Sequence, residues 1–201
     1  MESSRGAGGK LDYLGMILDF EVPGQVTFNM QSYTKKMVSD FEQDIGKEVS
    51  MTKTPAADHL FQVRDDVEML NDSQGAVFHN ATAKALYLCK RARPDIQIAV
   101  SFLTTRVRAP DQDDWKKLIR LMGNLKATKH LSLTLKDTGK GVCWWIDTSF
   151  AVHPDMRGHT GGTMSMGKGC VISKFTKQKL NTTSSTEAEL VGTYDVLLEI
   201  L

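Results

Sequence analysis

The sequence has little cysteine, little proline and few aromatic residues: 3 cysteines and 5 prolines in 201 residues, with aromatics at 7%. Cys89, Cys143 and Cys170 are widely separated and odd in number. They form neither a zinc spacing nor a disulfide framework, so a reducing intracellular setting is expected. No apolar run approaches the ~18–20 residues of a membrane span. Residues 1–9 lack the apolar stretch of a secretory signal. The expectation is an intracellular protein, cytoplasmic or nuclear, that is neither secreted nor membrane-bound. An excess of charge is missing too, with a formal net charge of +1. Hydrophobic residues at 41% and charged residues at 24% match a globular chain and exclude disorder or a fibrous repeat.

What the total charge hides, its distribution reveals. Residues 1–83 carry 7 basic and 13 acidic side chains, residues 84–136 carry 12 and 4, and residues 137–201 carry 6 and 7. A basic middle can present a local positive field to phosphates. The competing reading is a solvated lysine-rich helix face.

Along the chain, residues 1–10 are Gly/Ser-rich, and disorder is expected there. Residues 13–20 and 26–30 flank Pro23-Gly24 and predict a hairpin. Tyr33, Met37, Phe41 and Ile45 recur every four residues, predicting an amphipathic helix from about Ser32. Residues 47–75 lack a sustained period and predict a long connection. Three helices are then expected between 74 and 127. Phe78, Ala81, Ala85 and Leu88 mark the first. Ile96, Val100, Leu103 and Val107 mark the second, opened by Pro94-Asp95. Trp115, Leu118, Ile119, Met122 and Leu125 mark the third, opened by Pro110-Asp111. Residues 137–141 read as a domain linker. Strands are expected at 142–148, 161–166 and 170–176, with Gly167-Lys-Gly169 as a turn. A last helix would bury Leu190, Tyr194, Leu197 or Leu198, and Leu201. The fold class is therefore α+β.

Chemistry concentrates in residues 142–190. Asp147 ends an apolar strand and Glu189 lies early in the last helix. Ser184-Ser-Thr-Glu187 is a capping-box pattern that gives Ser184 and Glu187 a structural job. Glu189 has no such job. A carboxylate leaning toward the sheet would need a cation, and strand-end Asp plus helix Glu suits a hard divalent ion. His153 and His159 have no zinc-spaced partner and read as surface-loop residues. The cysteines have no adjacent general base.

Several strings together resemble copia-type long-terminal-repeat retrotransposon polyproteins. Trp145-Ile-Asp-Thr-Ser-Phe-Ala-Val-His-Pro-Asp155, His159-Thr-Gly-Gly162, Lys177-Gln-Lys179 and Ser184-Ser-Thr-Glu-Ala-Glu-Leu190 are similar to their ribonuclease H region. Asp12-Tyr-Leu-Gly-Met16, Lys53-Thr-Pro-Ala56, Ala92-Arg-Pro-Asp-Ile-Gln-Ile-Ala-Val100 and Trp115-Lys-Lys-Leu are similar to the end of their reverse transcriptase. The resemblance covers residues 11–201. It implies a thumb- or connection-like region at 11–136 and a partial ribonuclease H domain at 137–201, with strands first and one helix after them. It further implies that Asp147 and Glu189 belong to the carboxylate set that holds two Mg²⁺ ions about 3.5–4 Å apart and cleaves the RNA strand of an RNA–DNA hybrid. Lys90, Arg91, Arg93, Arg106, Arg108, Lys116, Lys117 and Arg120 would then grip a duplex through its phosphates. Asp95, Asp113 and Asp114 are the alternative partners for these cations.

The family's later acids have no match here, since Asp195 and Glu199 continue the helix. Its polymerase aspartates have none either, because Asp65-Asp66 and Asp113-Asp114 sit in solvated or helix-cap settings. Two carboxylates hold Mg²⁺ poorly. The expectation is a part of such a polyprotein without independent catalysis. The alternatives are a Mg²⁺-dependent ribonuclease H and a non-catalytic module binding RNA–DNA hybrids. The expected partners are nucleic acid and the rest of the polyprotein.

Overall fold

The computed structural model describes residues 9–200, with side chains up to Leu197. The fold is α+β, combining α-helices with two antiparallel sheets. The first sheet opens with β1 (Lys10–Tyr13), β2 (Met16–Asp19) and β3 (Gln25–Asn29). The expected single strand over 13–20 is thus broken. Leu14 and Gly15, with φ of 52° and 75°, make a two-residue turn whose twist suits an antiparallel hairpin. Gly9 and Lys10, expected to be disordered, belong to this sheet: Phe20 N–H donates to the Gly9 carbonyl and Lys10 pairs with Asp19. The rest of the proposed disordered stretch lies outside the described residues.

Helix α1 (Gln31–Ile45) buries Thr34, Met37, Val38 and Phe41 and stops at Gly46, which takes the left-handed conformation. After the irregular segment 47–71 come α2 (Asp72–Cys89), a 3-10 turn (Pro94–Ile96), α3 (Gln97–Arg106) and α4 (Gln112–Ala127). The expected stripes are the buried ones. Phe78, Ala85, Leu88, Ile96, Val100, Leu103, Leu118, Met122 and Leu125 are all fully covered. Asp111 caps α4 by accepting the Asp113 and Asp114 N–H groups at 2.8 Å, and Asp114 accepts the Asp111 N–H in return.

The segment 47–56 is strapped to α4. Thr52 N–H donates to the Gly123 carbonyl, and Asn124 Nδ2 donates to the Lys53 carbonyl at 3.1 Å. Gly123 permits this approach, since a Cβ there would stand 2.3 Å from the Ser50 carbonyl oxygen. Strand β4 (Leu133–Asp137) then returns to pair with β3.

The second sheet comprises β5 (Cys143–Ser149), β6 (His159–Ser165) and β8 (Ile172–Lys177), with β6 in the middle. Between β6 and β8 the chain crosses to the first sheet. There β7 (Gly167–Lys168) pairs with Lys136 and Asp137 of β4. The expected turn at Gly167-Lys-Gly169 is therefore also a strand of the other sheet. Helix α5 (Ser185–Ile200) lies across β5 and β6.

The stripe expected to be buried on α5 faces outward. Leu190 is 68% and Tyr194 63% exposed, and Leu197 is exposed as well. The sheet is met by Ala188, Gly192 and Val196 instead. A Cβ on Gly192 would stand 2.2 Å from Thr148 Cγ2, and one on Gly162 2.9 Å from Val196 Cγ2. The helix seats so close to the strands that only small side chains fit at the contact. Leu201, which closed the expected stripe, lies outside the described residues, as does the side chain of Leu198.

Candidate nucleic-acid and metal sites

Alternation along β5 sends Thr148 toward α5 and Asp147 to the opposite face. On that face Asp147 and Trp145 line a cavity of about 250 Å³ with Ser149, His159 and Phe175, closed by Ile98 of α3. Glu189 is exposed on α5, on the other side of the sheet, and does not lean inward as its sequence position suggested. No hydrogen bond or ion pair joins the two carboxylates among the described residues. Nor do three His, Cys, Asp or Glu side chains converge there as metal donors. This donor set does not fit a Mg²⁺ pair, whose ions need several oxygens converging from rigid elements.

At the start of α5, Ser184 Oγ accepts the Glu187 N–H at 3.2 Å. The Glu187 carboxylate reaches back one residue further than a standard capping box, to the Thr183 N–H and hydroxyl at 2.6 and 2.8 Å. These bonds hold its carboxyl below the usual carboxylate range.

The basic residues of the middle region divide by surroundings. Arg93 is 2% exposed, and its guanidinium donates to both Asp95 oxygens and to the Thr128 carbonyl and hydroxyl. Arg106 bridges Asp111 and Asp114 at 3.1 and 2.7 Å across the cap of α4. These two serve as internal struts, with little of either guanidinium left for an external phosphate. Arg91 stacks on the Tyr87 ring at 3.7 Å, and Lys90 lies near the Ser173 carbonyl. Arg108 is exposed. Lys116, Lys117 and Arg120 come together on α4, joined by Arg64, which the sequence reading missed. Arg64 and Lys116 share Asp113, at 2.6 and 3.0 Å. Lys117 Nζ lies over the Phe102 ring and donates to the Gln62 carbonyl, and burial lowers its pKa. Asp113 and Asp114 are thus the partners the alternative reading named, while Asp65 and Asp66 are exposed.

His153 and His159, read as surface residues, are buried at 7% and 4% exposure. His153 Nε2 and His159 Nδ1 are 3.1 Å apart, and both rings pack on Phe61 from the segment 47–71, at 4.9 and 5.1 Å between centroids. His159 Nε2 is buried with no partner in the described structure. Protonating it would bury an unpaired N–H and a charge. Burial, and then the neighbouring His153, push its pKa down to about 4. His153 is lowered as well, by burial and by Lys177, with Asp155 opposing.

An α+β chain with a strut-braced helical region and a three-stranded sheet under one helix is the class this geometry defines. Over 196 residues, 96% of its length, the chain is 24% identical to a Saccharomyces cerevisiae protein that bears the name of transposon Ty5-1, and it spans 62% of that relative. Over 115 residues, 56% of its length, it is 28% identical to the secreted RxLR effector protein 161 of Plasmopara viticola, covering 81% of that protein. The likeness to a transposon protein runs through both regions, so it rests on the whole chain and not on one motif. No family model matches the chain, and no solved structure matches it.

Proposed function

We propose that this chain is a copia-type retrotransposon polyprotein segment, joining the tail of a reverse transcriptase to ribonuclease H-like strands and a helix, and that it binds RNA–DNA hybrid without cleaving it. The observation carrying this reading is the relation to the Ty5-1 protein across 96% of the chain, which includes both the basic helical region and the sheet of Asp147. The division of the basic residues supports a phosphate-gripping face on α4. The placement of Asp147 and Glu189 on opposite sides of the sheet supports the absence of independent cleavage.

Two assays on the whole chain test it. With Mg²⁺ present, a labelled RNA–DNA hybrid remains intact, and wild type and Asp147→Asn give the same residual signal. Cleavage abolished by that substitution establishes the enzyme reading instead. In filter binding, the logarithm of the affinity for the hybrid falls linearly with the logarithm of salt concentration, with a slope of about 0.9 per phosphate contacted. Failure to retain hybrid at low salt ends the binding reading.

A further inference from the structure

We propose that the cleft between residues 55–60 and α4 is a phosphate seat, in which Arg120 and Lys116 receive one phosphoryl group at a time. The proposal deepens the duplex-binding reading and rests on it for a polymeric source of the phosphate.

The cleft encloses about 180 Å³. That is roughly the room of six waters at ~30 Å³ each. It falls below the ~300 Å³ at which pockets for whole organic ligands begin. A single tetrahedral oxyanion fits this space. Pro55, Ala56, Ala57 and Leu60 form its wall, while His59, Lys116, Lys117 and Arg120 supply its polar edge. Lys116 and Arg120 are four apart on α4, so they project on the same side of the helix.

Arg120 is held for such a task. Its Nη2 donates to Thr54 Oγ1 at 2.8 Å, and Thr54 Oγ1 in turn donates to the Ala56 carbonyl. The Arg120 carbonyl accepts from Thr52 Oγ1 at 2.9 Å, on the strap already fastened to Gly123 and Asn124. Arg120 Nε is buried and has no acceptor in the described structure. That atom is closed to solvent, so an anion in the cleft is met by the terminal guanidinium nitrogens, which pair with oxyanions through charge-assisted hydrogen bonds. Lys116, whose side chain is 72% exposed, can swing from Asp113 to meet the same anion.

The surroundings have the right sign. A second hollow of about 340 Å³ adjoins the first, sharing His59, Lys116 and Lys117 and adding Arg64. Among the described residues, Asp113 is the one carboxylate lining either space, against Arg64, Lys116, Lys117 and Arg120. Lys117 is committed to the Gln62 carbonyl, so it contributes field, not a direct contact.

The test has two arms, run on the full chain with Lys116→Gln, Arg120→Gln, Arg120→Lys and the distant Lys140→Gln. Equal thermal midpoints for wild type and Lys116→Gln verify that this exposed position leaves the fold intact. In the first arm, inorganic phosphate is titrated at constant ionic strength while backbone amide resonances of residues 54, 56–60 and 116–120 are followed. In the second, the salt dependence of RNA–DNA hybrid binding is measured. The expected result is saturable shifts with phosphate, and a slope shallower by about one in Lys116→Gln and in Arg120→Gln. Arg120→Lys should restore part of that slope, and Lys140→Gln should change nothing. Slope changes without a response to free phosphate support the seat with a nucleic-acid backbone as its source. Shifts with free phosphate alone support the seat and remove the duplex from it. Hybrid binding that the substitutions leave untouched, with no phosphate response, overturns the seat while the duplex reading stands. No binding of either probe by wild type overturns both.

Discussion

Between residues 78 and 125 the chain covers Phe78, Leu88, Ile96, Val100, Leu103, Leu118, Leu121, Met122 and Leu125 completely. From residue 143 onward, the buried apolar side chains among the described residues are Ala188 and Val196. The helical region is a core with a coat. The second region is a thin layer fastened mostly by polar groups. Ser101 Oγ donates to the Phe175 carbonyl, and Gln97 Nε2 donates to the Ser173 carbonyl, both from α3. Gln178 ties β8 to α5 by donating to the Ala188 carbonyl at 2.9 Å and to Thr160 Oγ1. The histidine pair against Phe61 completes the seam. The contrast separates two sources of order: apolar burial, roughly proportional to area, and hydrogen bonding, whose main cost appears when a partner is lost.

The strongest way to break the comparison is inside the core. Leu121→Ala should cost about 2–5 kcal/mol and lower the thermal midpoint of both regions together, because the layer is hydrogen-bonded to α3 of the same core. Calorimetry checks this, and a second transition left at the wild-type temperature would show that the sheet stands by itself. Acid comes next. His159 has a folded pKa of about 4 against 6.5 for an ordinary histidine. The unfolded chain therefore binds a proton that the folded chain refuses. Stability is full above about pH 6.5 and is lost as pH falls toward 4, by roughly 3 kcal/mol at 1.36 kcal/mol per pKa unit. Fluorescence of Trp144 and Trp145 during acid titration should report the second region loosening, and His159→Phe should weaken that dependence, leaving the part due to His153. The smallest effect sharpens the contrast. Leu190→Ser, at a 68% exposed position, should change stability by no more than about 0.5 kcal/mol in denaturant melts, whereas a buried stripe would lose several times that.

The helices were legible because their large apolar residues recur with the helical period and bury the face they mark. Tyr33, Met37, Phe41 and Ile45 set α1, and Leu118, Met122 and Leu125 set α4. The same rule misled at α5. There the buried line is Ala188, Gly192 and Val196, a run of small residues chosen for close approach, while the large ones remain outside. Periodicity weighs size, and a tight helix–sheet contact selects against it. The buried histidines escaped because Phe61, the ring that covers them, is some ninety residues away in sequence. Arg93 and Arg106 read as phosphate-gripping cations with Asp95, Asp113 and Asp114 as alternative partners; Asp95 and Asp114 hold them, and the remaining partners were out of reach of the sequence. Thr128, which receives Arg93, is distant in sequence, and the cap that receives Arg106 has to form before it can bind a guanidinium. Strand β4, equal in length to β3, escaped the sequence reading, and it is held by its pairing with β3. For the phosphate seat, Lys116, Lys117 and Arg120 were readable as a basic cluster. Arg64 and the Thr52–Thr54 strap were not, since a segment without periodicity reveals its contacts only after folding.

The excursion of Gly167 and Lys168 into the first sheet has a consequence for inheritance. Gly169 admits the crossing only because it has no side chain, since a Cβ would stand 2.2 Å from the Thr134 carbonyl oxygen. A cut at residue 137 or 141 separates two stretches of sequence but leaves this stitch behind on the wrong piece. A recombinant that exchanged the part after residue 141 for a foreign one would have to bring a matching stitch or leave the margin of β4 bare, open to pairing with another chain. The two regions are therefore coupled through the margin of β4 as well as through α3.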